Sequence, residues 1–451
     1  MRYTNNQTVN HMHCRFISSI QSANLVKSIR FTTIIILILS VNTAKSNDDF
    51  FLYGDFIHKN NIRSVLFNQT DFELSDPLIR LNSNDRLRLR FDDMDGGYKN
   101  YYYTIIHCDA NWQPSEIQQY EYIEGFYEDH IRTYYSSINT RIPYTHYQLE
   151  FPDNNMRPSK SGNYILKVFL EGDRNQVVLT RRFMVLDQRL MIDGHAQQAN
   201  LVRYRNQMQQ LMFTLHTENY HISNPYRDLR IVITQNGRWD NAITGVQPRS
   251  VQGTRLVYDH EEETLFEGGN EFRRFDIRSL RQLSERVEDI QSGRRHWDVF
   301  LLPDRVRAYE SYITDNDING RFQIMTVDGR NHMLESDYAW VHFRLPMPEP
   351  FENGHVYVMG ALTNWHFTDE NRMNYNYGEK TYELSLFLKQ GYYNYIYAFL
   401  ENDTPPAELR PIEGAHSYTE NDYTIYVYHR APGELYDRLV GVRQLNTSVT
   451  R

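Results

Sequence analysis

The chain has 451 residues, 40% hydrophobic and 23% charged, with 22 Gly and 15 Pro, and this ordinary globular usage excludes a peptide hormone, a collagen-like repeat and a low-complexity polymer. Its 48 Lys and Arg against 57 Asp and Glu leave a formal charge of −9, which excludes the whole-domain basic field of a dedicated nucleic-acid binder. Aromatics reach 14%, chiefly 34 Tyr and 23 Phe, and tyrosine suits both half-buried strands and polar contact surfaces.

Residues 1–47 have the order of an export signal. Arg2, Arg15, Lys27 and Arg30 stand without any carboxylate, then the apolar run Phe31–Val41, then small and polar residues around Ala44. As a helix that run reaches about 16 Å, short of the roughly 30 Å hydrocarbon core, so it reads as a cleaved signal and not as a permanent span. Translation from Met12 instead of Met1, or retention of the segment as an uncleaved anchor, exports the remainder equally. Cleavage near Ala44 removes Cys14, leaving Cys108 as the only thiol and no internal disulfide.

The expected fold is all-β, a tandem of immunoglobulin-like antiparallel β-sandwiches with very little helix. The first spans 48–190, where Arg86–Phe91 and Tyr147–Phe151 alternate strictly, Asn163–Leu170 reads as a more buried strand, and Asp, Asn and Gly clusters mark the turns. Ser115–Ile138 interrupts this rhythm as a polar and aromatic excursion with one helical turn. The second spans 191–345, with strands at Gln210–His216, Leu229–Thr234, Trp297–Leu302 and Tyr338–Leu345. Its one helical candidate is Ile277–Ile290, where Leu280, Leu283, Val287 and Ile290 recur at helical spacing behind a capping Asp276 or Ser279. Pro346-Met-Pro-Glu-Pro350 reads as a stiff linker to a third sandwich at 346–451, with strands at Val356–Met359, Tyr382–Leu388, Tyr392–Phe399 and Tyr423–Tyr428.

Chemistry is sparse. His107-Cys108-Asp109 suggests a nucleophile with its base, but on a strand His107 and Asp109 share one face and Cys108 takes the other, so Cys108 reads as a small buried hydrophobe. The serine-elbow, zinc-helix and phosphate-loop signatures are absent. Carboxylate runs at Asp92–Asp95 and Glu261–Glu263 read as solvated turns, with a hydrolase built on dispersed carboxylates as the weaker alternative. Asp315, Asp317, Asn319 and Gly320 occupy the first half of a calcium loop, but Thr326 stands where the bidentate Glu belongs. A polar hairpin turn is the expectation, with a weak calcium site as the alternative, and neither a structural metal nor a cofactor is expected.

Two resemblances follow from ordered residue sets. His107-Cys-Asp-Ala-Asn-Trp112, Tyr122-Ile-Glu-Gly-Phe126, Ser137–Thr140, Tyr144–Tyr147, Phe151-Pro152 and Ser161-Gly-Asn-Tyr164 resemble the N-terminal domain of the plug protein of the Bacteroidota type IX secretion system. Glu420–Tyr423, Tyr426–Arg430, Tyr436-Asp437 and Leu439–Gly441 look like the same family's C-terminus. The resemblance implies a non-enzymatic periplasmic protein that closes the periplasmic mouth of the outer-membrane translocon barrel. That barrel protein is its partner, and neither nucleic acid nor a small-molecule substrate is implied. Separately, Val356–Trp365 with Tyr382–Leu386 and Gly391–Tyr395 is similar to the early-set sandwich of glycogen-binding domains. This makes Asn364 and Trp365 candidate carbohydrate or partner contacts and a periplasmic carbohydrate-binding protein the alternative function, although the second stacking tryptophan of that family is missing here.

Overall fold

Alternation lays down the first sheet. In Leu87–Asp93, the side chains of Leu87, Leu89 and Phe91 enter the core, while Arg88 and Arg90 meet Glu150 at 2.9 Å and Glu73 at 2.8 Å. This strand lies between Ile62–Gln69 and Thr145–Phe151, with Thr133–Ser136 on the far edge. The facing sheet runs in the order Leu78–Arg80, Val177–Leu186, Gly162–Leu170, Tyr101–Cys108, Asp129–His130. A single apolar core fills the space between the two. The computed structural model describes residues 53–402 and 404–448, which belong to one compact unit; the export segment expected at 1–47 lies outside the described residues.

The protein is built of β-sandwiches. Helix among the described residues is confined to four four-residue turns and one short 3-10 turn. Ile277–Ile290 is not helical. Asp276 takes the guanidinium of Arg278 instead of capping, Leu283 faces solvent, and the stretch ends in the strand Val287–Ser292. The local spacing was helical, but a sheet edge offered pairing with Trp297–Leu301.

The sheets run across the boundary expected at 345/346. Met191–Gln198, Met208–His216, Ser250–Gln252, Arg255–Tyr258 and Leu265–Glu267 form one sheet. The sheet that covers it joins Arg238–Thr244 and Leu229–Gln235 to Asp422–His429 and Arg438–Asn446. The second sandwich is therefore closed by the last two strands of the chain, and residues between 273 and 413 form the third as an insertion. Tyr338–Pro346 belongs to that insertion and pairs with Thr381–Lys389, so the proline-rich segment is an extended turn inside one sandwich and not a linker. Its core packs Phe275, Val341, Phe343, Val358, Tyr393 and Tyr395.

The two crossings between the second and third sandwiches lie side by side. Asn421 Nδ2 donates to Gly268 O at 2.8 Å and Asn270 Nδ2 to Glu413 O at 2.8 Å. A Cβ on Gly268 would stand 2.0 Å from His416 O, so only glycine allows this approach. Glu271, 2% exposed here, accepts from the Tyr312 hydroxyl and the Glu420 N–H, but its other oxygen has no partner. Burial pushes its carboxyl up to about 7 and that of nearby Asp317 up to about 6. A raised carboxyl holds its proton longer in the folded than in the unfolded chain, so this contribution is lost as pH climbs from about 4.5 to 7. Glu271→Gln is expected to raise stability by about 2 kcal/mol at pH 8 and to change little at pH 5, read from urea melts at the two pH values.

The first sandwich joins the second through a buried apolar layer that includes Cys108, Trp112, Ile165, Tyr426 and Tyr428. It joins the third through Asp92, whose carboxylate receives Lys389 Nζ at 2.6 Å and the Tyr338 hydroxyl at 2.7 Å. All three meet around one cleft.

Candidate functional site

Within the first sandwich, the interrupting segment crosses from one sheet edge to the other. Glu121 caps its helical turn, Gln119–Tyr122, by accepting from Gln118 N at 2.7 Å. Ile123–Gly125 then pairs with Met156–Pro158, and Gly125, at φ +97, lies so close to Asn155 that a Cβ would stand 2.1 Å from its carbonyl oxygen. Buried Asp129 ties the segment down, binding both Arg132 Nη atoms, at 3.0 and 2.6 Å, and Asn155 Nδ2 at 2.9 Å. Fixed in this way, Tyr120, Phe126, Tyr127, Tyr134, Tyr135 and Ile138 remain in solvent, Tyr120 at 70% and Phe126 at 63% exposure. Tyr134 packs at a tilt against Tyr98 at 4.8 Å and core Tyr147 at 5.9 Å between ring centroids, which anchors the aromatic rim to the interior. Solvent exposure of this kind concentrates on contact surfaces.

The second feature is a cleft of about 200 Å³ where the three sandwiches meet. The first contributes Asp55, Asp76, Trp112, Arg181 and Arg182; the second Trp239 and Tyr426; the third Arg321, Asn364 and Trp365. The Arg182 guanidinium lies over the rings of Trp112 at 4.5 Å and Trp239 at 5.3 Å. Asn364 and Trp365, the residues singled out in the sequence, sit on its wall in consecutive left-handed conformations, φ 52 and 59. Asn364 accepts from Arg181 Nη2 at 3.0 Å, and Trp365 meets Phe272 edge-on at 5.9 Å. Sequence reasoning found these two through the resemblance to glycogen-binding sandwiches, but missed Arg181, Arg182 and Trp239, which come from other sandwiches and carry no local signature.

The half calcium loop serves this same wall. Asp315 pairs with Arg274 at 2.6 Å, and Asp317 accepts from Phe272 N and Asn319 N, so their carboxylates point into separate interactions. No group of three or more metal-ligating side chains occurs among the described residues. Gly320, at φ +76, leaves room for the indole: a Cβ there would stand 2.4 Å from Trp365 Cη2 and 2.6 Å from Phe272 Cε1. Gly320→Ala is therefore expected to cost about 2 to 4 kcal/mol, combining backbone strain with overpacking, and to shift tryptophan emission in the same melt.

His107, Cys108 and Asp109 do not assemble. Burial pushes the Cys108 thiol well up, and burial also lowers His107 to about 4 while its ring meets Ser115 Oγ at 2.8 Å and Ser161 O at 3.1 Å. Asp109 instead receives the backbone N–H groups of Asn111 and Gln113. The cluster is structural.

Three interlocked sandwiches, with an aromatic rim on the first and a cleft where they meet, define an all-β, multi-sandwich protein. Residues 62–187 match the family described as the type 9 secretion system plug protein 1st domain. The chain belongs to this type IX secretion plug family, which is not an enzyme family. It is also similar, at 33% identity and a TM-score of 0.85, to the crystal structure of a hypothetical protein from Parabacteroides merdae ATCC 43184, covering 87% of this chain and 99% of that one. No curated protein matches. The family assigns the chain a role related to type IX secretion in the cell envelope.

Proposed function

We propose that the protein is a non-enzymatic periplasmic component of type IX secretion that occludes the periplasmic end of the outer-membrane translocon barrel. The observation that carries this reading is the plug-family match over the first sandwich, the part of the molecule that holds the aromatic rim. A wide water-filled barrel leaks unless it is filled. Sandwiches joined through buried ion pairs make a body stiff enough to fill it, and rigid tyrosines give contact area at low entropic cost. The expected route is export by the 1–47 signal, followed by docking through a protein partner. The carbohydrate-binding alternative gains little, because Trp365 turns a ring edge into Phe272 and Gly320.

Affinity purification from detergent extracts of outer membranes is expected to recover a large barrel protein, and cells lacking the protein are expected to admit a bulky antibiotic. Recovery of no barrel, together with unchanged permeability, would refute the reading.

A further inference from the structure

The cleft carries a charge imbalance that the plug role does not use. Arg181 is buried, and its guanidinium donates to the carbonyls of Phe56 at 3.4 Å and Thr180 at 2.9 Å and to Asn364 Oδ1 at 3.0 Å. Arg182, stacked on its two indoles, donates through Nε to Tyr53 O at 3.1 Å. Both guanidinium groups thus donate to carbonyl and amide oxygens and not to carboxylates. The acidic groups on the wall are already engaged: Asp76 faces Arg321 at 3.3 Å, and Glu73 faces Arg90 at 2.8 Å. Asp55 accepts the backbone N–H of Arg182 at 2.7 Å and is the carboxylate whose field reaches both arginines.

Two guanidinium groups are thus balanced by one carboxylate. Burial lowers Arg181 to about 10 and lowers Arg182 as well, the direction expected of cations without a full counter-charge. The same wall has a surplus of donors, since buried Trp112 Nε1 finds no acceptor. Isolated buried charge is costly, and forked guanidinium donors match the geometry of carboxylate and phosphate oxygens. The space, about 200 Å³, holds about six water-sized groups at roughly 30 Å³ each, enough for such an anion with part of its hydration.

We propose that this cleft binds a small oxyanion, a phosphate or carboxylate group, held between Arg181 and Arg182 beside Asn364. Its walls come from all three sandwiches, and the bound ion ties the first, through Arg181 and Arg182, to the third, through Asn364. It is a ligand of the body, independent of whether the rim docks on a barrel.

The test uses the full mature chain at fixed ionic strength, with inorganic phosphate and citrate as separate probes and sodium chloride as the control. Thermal melts are expected to rise saturably with phosphate or citrate but not with chloride, and calorimetric titration should give one site. Arg182→Gln is expected to weaken that binding about tenfold or more. Asp55→Asn keeps the oxygen that receives the Arg182 N–H and removes the competing charge, so it is expected to tighten binding. Equal rises with chloride, or affinities that neither substitution moves, would overturn the proposal. Co-flotation with phosphatidylglycerol vesicles that Arg182→Gln abolishes would transfer the site to a lipid headgroup and overturn the free-ion assignment.

Discussion

Lys389→Met is expected to destabilise the protein by about 3 to 5 kcal/mol, because it leaves a carboxylate buried with too little counter-charge. Lys389 and Asp92 are each 1% exposed and lie 2.6 Å apart; Lys389 Nζ also donates to Met333 O at 2.7 Å and sits 4.1 Å above the Tyr144 ring. Asp92 spends its other oxygen on His146 Nδ1 at 2.6 Å. Burial opposes the charge, yet Lys389 and His146 together hold the Asp92 carboxyl below the usual carboxylate range. A depressed carboxyl contributes stability that is present above its unfolded value near 3.9 and lost as pH falls through the folded value. In Lys389→Met that acid loss should therefore begin at higher pH. Because an apolar pair of similar volume can replace a buried ion pair at little net cost, Asp92→Leu with Lys389→Met is expected to recover most of the deficit. Urea midpoints of the two single variants and the double variant check this; additive losses would contradict it.

Glu413→Gln is expected to cost a similar amount, about 3 to 5 kcal/mol, through a different group of residues. Glu413 is fully buried and receives Arg273 Nε at 3.0 Å, Arg273 Nη2 at 2.9 Å, Arg307 Nε at 2.8 Å and Tyr397 N at 2.8 Å. Asp304 completes the group, taking Arg273 Nη1 at 3.0 Å and the hydroxyls of Tyr395 and Tyr397 at 2.6 and 2.8 Å. Despite burial, the two arginines hold the Glu413 carboxyl low. An amide there removes the charge and turns an NH₂ toward donors. Guanidinium melts should show the drop, and Glu413→Ala should be no less severe, since it also opens a cavity.

Local pattern carried much of this fold. Leu87–Asp93, Gly162–Leu170, Leu229–Gln235 and Gly391–Glu401 are strands because apolar residues, many of them β-branched or aromatic, alternate or run together between turn residues, information that is complete within a dozen positions. Pairing across the chain was not legible, since nothing within Leu229–Gln235 specifies Asp422–His429 as its neighbour. Tyrosine was ambiguous for the same reason. Tyr101, Tyr147, Tyr338, Tyr395 and Tyr428 are wholly buried with hydroxyls bonded inside, whereas Tyr120 and Tyr135 face solvent, and composition weighs them alike. Of the cleft, only Asn364 and Trp365 were picked out, through their resemblance to a sugar-binding turn, because Arg181 and Arg182 lie on a strand of another sandwich and carry no motif of their own.

The closing of the second sandwich by Asp422–Asn446 also sets an order of events during synthesis. As the chain emerges from its N-terminal end, Leu229–Gln235 has Arg238–Thr244 on one side, but its other side stays open while nearly two hundred further residues arrive. Contacts of such long sequence separation form late. Until they do, Ile231 and Ile233 present an apolar, unpaired border of the kind that joins other chains. A molecule truncated before residue 422 would keep that border permanently, so chaperones or proteases would meet it as an aggregation-prone intermediate.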